Sequence, residues 1–166
     1  MLWQDWIVAS LLNCRKTGFF VDLLAGDAVL GSNTLMLERD FAWEGICVDV
    51  DHAYREGLRK RKCQAVYAPV AGSTGTGEQM TFMVPIDRER DSKNGKLEAR
   101  ELTAVSVMDI LGTMSVPPVI DYLDLDAKND ESEVMAKFDW AQHTFLVITL
   151  KAPNADLQAA LGSNGY

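Results

Sequence analysis

Short apolar runs closed by an acid or by small polar residues alternate here with stretches whose apolar positions recur at helical spacing. The runs predict buried strands over 18–24, 46–50, 64–70, 119–126 and 145–150, with a further short strand over 80–86. Between them the spacing predicts helices over 32–39, 53–62, 131–138 and 155–161. Ser32 or Asn33 is a fair N-cap for the first of these, and Gly162 a C-cap for the last. Ser106-Val107-Met108-Asp109 starts another helix, through Leu111, in the manner of a capping box. Residues 1–12 form an amphipathic helix expected to pack on the domain. Strand and helix in alternation make an α/β fold, a mostly parallel sheet with helices on both faces.

Residues 71–100 break the alternation. The Gly, Ser and Thr of 71–78 suit a hairpin connection, since no Lys follows the glycines as a phosphate loop requires. The charged stretch 87–100 reads as a solvated loop, with a lid as the alternative. The chain of 166 residues is taken as a single domain carrying this insertion.

Charge and cysteine content narrow the function classes. A net charge of −8 argues against nucleic acid as a partner. No apolar run approaches membrane-spanning length, so no membrane partner is expected. Cys14, Cys47 and Cys63, without a CxxC pair, read as reduced thiols of a cytoplasmic protein, Cys47 as a small core residue. The four tryptophans read as core or edge packing, His52 and His143 as surface residues.

Gly18–Thr34 is a buried strand ending in acid, a tight turn and a helix start, the unit that presents backbone N–H groups to a nucleotide-like ligand. Leu24 and Ala28 stand where such a turn favours glycine. Asp22 and Asp49 end successive strands. Asp49 suits a ribose diol and suits equally a solvated strand-end or N-cap role, while Asp51 can cap the next helix. Asp121, Asp124 and Asp126 are read as sharing one face of their strand, Asp126 projecting from its carboxyl end. Glu131 and Glu133 follow, where acids also complement a helix dipole.

These segments together resemble FkbM-type methyltransferases. The resemblance rests on Gln4-Asp5, the 18–34 segment, Leu37-Glu38, Trp43-Glu44-Gly45-Ile46-Cys47-Val48-Asp49, Ile120–Asp126 with Phe138-Asp139-Trp140, and Ser163–Tyr166. It implies a Rossmann-like methyltransferase domain lacking its C-terminal strands, with S-adenosylmethionine as cofactor. Asp22, Ala25, Gly26, Asp27, Asn33 and Asp49 would hold the cofactor, and Asp126 and Glu131 would serve catalysis. The acceptor would be a hydroxyl of a small molecule or sugar; no metal is implied. The chain departs from the family at Leu24, Ala28, Lys128, Asn129 and Lys151, so a ligand-binding or interaction scaffold is the alternative, and another doubly wound nucleotide-binding protein a third reading. Loss of the last strands would leave 145–150 as an exposed edge suited to self-association.

Overall fold

A computed structural model describes residues 3–72, 77, 79–85, 97–127, 131–151 and 153–166. Its centre is a five-stranded sheet in the order β3-β2-β1-β8-β9, all neighbours parallel. These strands are Phe19–Leu23 (β1), Glu44–Val48 (β2), Gln64–Val66 (β3), Val119–Leu125 (β8) and Thr144–Leu150 (β9). Their β-branched and aromatic runs are covered on both sides, which is why they read as continuous apolar stretches.

Helices α1 (Gln4–Leu11), α2 (Leu35–Phe41) and α3 (His52–Leu58) cover one face. There Val8, Ala9, Met36, Leu37 and Leu58 pack with Phe20, Cys47 and Tyr122 of the sheet. Helices α4 (Val107–Thr113), α5 (Glu131–Val134) and α6 (Ala155–Ser163) cover the other. Ile110, Leu111, Val134 and Leu157 meet Val21, Val48 and Leu123 on that side. The α/β reading with two covered faces holds.

Several boundaries differ from expectation. β2 starts at the exposed Glu44 and stops at Val48, so Asp49 lies just past the strand. The 64–70 run divides: β3 ends at Val66, and β4 (Val70–Ala71) pairs with β7 (Val105–Ser106). Part of the charged loop is a strand, since β6 (Leu97–Thr103) pairs antiparallel with β5 (Gln79–Pro85). Residues 86–96, where a lid was considered, lie outside the described residues, as does most of 73–78. Helix α6 runs through Gly162 and is capped by Asn164; its N-cap Asn154 accepts a bond from the Leu157 N–H. The expected caps Asp51 and Ser106 accept from Ala53 and Asp109.

The cysteine reading is overturned. Cys47 and Cys63 form a disulfide, with Cα atoms 6.0 Å apart, and Cys14 remains free and exposed. The parallel register sets Cys47 beside Ala65, so Cys63 lies just ahead of β3, and the α3 crossover brings the two sulfurs together. Trp43 is core, donating its indole N–H to the Arg15 carbonyl, but Trp3 and Trp6 are exposed. His52 is exposed as expected, whereas His143 is buried, and its Nδ1 has no hydrogen-bond partner among the described residues.

Candidate active site

The carboxyl ends of the central strands carry the candidate site. After β1 the chain turns toward α2 on one face, and after β8 toward α5 on the other, which makes the β1–β8 boundary a topological switch point, the place where open α/β sheets take ligands. The turn after β1 is built from left-handed residues. Leu24 has φ 64° and Gly26 φ 63°. Leucine pays about 1–2 kcal/mol there, because its Cβ crowds the carbonyl oxygen. Its side chain is half-buried and packs toward the α4–α6 core.

Asp49 closes this turn against β2. One of its oxygens accepts the Gly26 N–H at 2.7 Å, the other the Asp51 N–H at 2.7 Å. The carboxyl group is nearly buried, which pushes its pKa up, while those two N–H groups pull it back. Asp27 turns the next residues, accepting from Val29 and Leu30 at 2.8 and 2.9 Å. Ala25 is tied to the same strand end, its N–H bonding the Val48 carbonyl. The structure thus gathers Ala25, Gly26, Asp27 and Asp49.

Ala28 faces away from the strand ends. It is buried against α3, where a Cβ added to Gly57 would come within 3.0 Å of the Ala28 Cβ. The methyl group fills a helix contact, so replacing it with glycine opens no room for a ligand.

Asp22 and Asn33, the other two expected cofactor residues, belong to a buried polar row one layer below. Parallel register aligns Cys47, Asp22, Asp124 and Thr149 across β2, β1, β8 and β9. Thr34 donates its hydroxyl to Asp22 at 2.6 Å, Asn33 its amide to Asp124 at 2.8 Å, and Thr149 its hydroxyl to the other Asp124 oxygen at 2.6 Å. Burial, and then the charge of Asp124, push the Asp22 pKa up to about 7; burial raises Asp124 as well. Arg61, its side chain buried, bonds Ser32, Thr34 and Glu38, and Glu38 also accepts the N–H groups of Lys62 and Cys63. The row therefore fastens the start of α2, the far end of the loop that leaves β1.

The acids of β8 separate. Asp121 and Asp124 are an odd number of residues apart, so strand alternation puts them on opposite faces, contrary to the shared face expected. Asp121 holds Arg15 at 2.5 Å and the Phe19 N–H at 2.8 Å. Asp126 lies just past β8, exposed, with Lys151 at 3.3 Å. Glu131, the other acid expected to serve catalysis, is fully buried at the start of α5, whereas Asp126 is exposed. Lys128 and Asn129 lie outside the described residues.

No family model, curated protein or solved structure matches the chain.

Thr34, Thr149, Arg61 and Glu38 were missed as partners of this region. The one signal was Asp22 itself, a charge inside an apolar strand run, which requires buried partners to be tolerated.

Proposed function

We propose that the chain is an S-adenosylmethionine-dependent methyltransferase of the FkbM type, acting on a hydroxyl of a small molecule or sugar. The observation carrying this reading is Asp49 just past β2, bonded to the Gly26 N–H of the turn after β1, at the strand ends beside the switch point where open α/β sheets take ligands. The residues fit an adenosyl group at its ribose. Asp49 is held by backbone N–H groups of Gly26, Val50 and Asp51, and a carboxylate, with about four acceptor positions, can take a hydroxyl donor beside them. Ala25, Gly26 and Asp27 would border the same group.

The cofactor would supply a methyl group made transferable by its sulfonium charge. The chain's task is to hold acceptor and cofactor in line and accept the hydroxyl proton. Asp126 is the exposed acid beyond β8 suited to that proton, and Lys151 competes for its carboxylate. The scaffold reading draws on the same ion pair, and on Leu24 in a turn that favours glycine.

A cytoplasmic setting suits a small-molecule methyltransferase, but the cysteine argument for it falls with the Cys47–Cys63 disulfide, which favours an oxidising compartment.

Calorimetric titration with S-adenosylhomocysteine tests the reading. Wild type should bind, and Asp49→Ala should weaken binding by roughly 1.5–3 kcal/mol for each charge-assisted bond lost. Asp49→Asn, which keeps the shape, should fall between. A wild type that ignores S-adenosylhomocysteine sinks the methyltransferase reading, and binding of NAD or FMN instead points to a different nucleotide-binding role.

A further inference from the structure

Helix α1 is apolar on the side that faces water. Val8 and Ala9 point into the core, while Trp3, Trp6, Ile7 and Leu11 lie opposite, between 51 and 63 % exposed. Ser10 is the polar member of that outer face; Asp5 lies half-buried nearer the core. The four large side chains offer roughly 500 Å², the size at which an apolar patch is functional, yet well short of the ~800 Å² that each partner gives to a stable dimer.

A second feature lies in the same helical layer. Residues 55–62 hold five of the chain's sixteen Lys and Arg residues against one acid, Glu56, in a protein of net charge −8. Arg61 turns inward to Glu38, but Arg55, Arg59, Lys60 and Lys62 are exposed. Lys16, at the exit of α1, is exposed too and donates to the Asp40 carbonyl, the Asp40 carboxylate is held by Arg39, and Arg15 beside it is committed to Asp121. Helices α1, α2 and α3 pack their inner faces into one cluster against one side of the sheet. Their exposed faces therefore look outward on the same side of the molecule.

We propose that this outer face is a peripheral docking surface for an anionic lipid bilayer. Tryptophan prefers the boundary between headgroups and acyl chains, where Ile7 and Leu11 can enter the apolar zone. Lys and Arg in the same layer gain from anionic headgroups, and the acidic remainder of the protein is repelled, which orients the molecule. A nucleic acid or an acidic protein would meet the cations but leave the apolar face of α1 in water. No spanning helix is needed for such contact, so the absence of one among the described residues is compatible with it. The surface is independent of the methyltransferase reading.

The test is co-sedimentation of the full chain with vesicles of phosphatidylcholine, alone or mixed with phosphatidylserine. Binding should require phosphatidylserine, weaken with salt, and fall at least about tenfold in Arg59→Glu/Lys60→Glu/Lys62→Glu and in Trp6→Ser/Ile7→Ser. Urea midpoints should show both variants folded, since the altered side chains are exposed, and a lipid-induced blue shift of emission should vanish in Trp3→Phe/Trp6→Phe. Three results overturn the proposal. One is no binding to either vesicle, another is binding that survives either set of substitutions, and the third is a dimer that Trp6→Ser/Ile7→Ser dissolves, which would give the face to a second copy.

Discussion

Asp22→Asn removes a charge from the sheet interior while keeping the side chain's shape and its acceptor for the Thr34 hydroxyl. In the folded protein the Asp22 pKa is pushed from 3.8 up to about 7 by burial and by the facing Asp124. A carboxyl group raised in this way binds its proton more tightly folded than unfolded. Its stabilising contribution is complete below pH 3.8, and is lost as pH rises from there through about 7. Wild type should therefore lose stability across that window, by about 2–3 kcal/mol between pH 5 and pH 8 from this group alone. The amide does not titrate, so Asp22→Asn should flatten the dependence and be the more stable protein at pH 8. Urea denaturation of both proteins at the two pH values measures the difference, with ionic strength held constant. If Asp22→Asn is less stable than wild type at pH 8, the reasoning fails: the ionised carboxylate would then be needed, with Arg61 as the partner that holds it.

Three further outcomes follow from the geometry. Reduction of the Cys47–Cys63 disulfide, or its replacement by two alanines, should cost roughly 3 kcal/mol by urea denaturation, as expected for a closed loop of this length; an unchanged midpoint would mean the bond does not form. Leu24→Ala should be less stable than Leu24→Gly by about 1 kcal/mol, because alanine loses the packing yet keeps the left-handed strain; the reverse order would show that Leu24 is not strained. We also propose that β9, the outer strand, pairs with a second copy: light scattering should show self-association that Leu146→Lys suppresses, and a wild type that stays monomeric at high concentration would count against an open edge.

The sheet was legible because each of its strands is a short apolar run that must be covered on both faces, and the alternation with helices then admits few arrangements. Boundaries slipped where the pattern has no sharp edge. Glu44 opens β2 although it is exposed, and Gly162 continues α6 although glycine more often ends a helix. The strand over 97–103 was hidden by its charges, since a two-stranded ribbon can pair its backbone without an apolar face. The disulfide could not be read from spacing, because Cys47 and Cys63 meet only once β2 and β3 lie side by side. The exposure of Trp3 and Trp6 could not be read either: the helix is apolar on both sides, and periodicity alone does not say which side is inward.

The candidate site was legible only at its surface. Turn residues announce themselves by type, and Ala25, Gly26, Asp27 and Asp49 do meet at the carboxyl edge. The layer beneath is a matter of register, because Asp22, Asp124 and Thr149 become neighbours only when three parallel strands are aligned. A row of this kind costs more to bury than apolar residues of the same size, and is tolerated because its oxygens find donors. Those donors are informative: Asn33 and Thr34 come from the loop between β1 and α2, and Arg61 joins Thr34 and Ser32 to Glu38 on α2. Leu24 and Gly26 fix one end of that loop by their backbone conformation, and the buried row fixes the other end by hydrogen bonds. Asp22 and Asn33 thus set the loop's shape, and under the proposed methyltransferase reading they would be positioning residues beneath the turn rather than contacts of the cofactor.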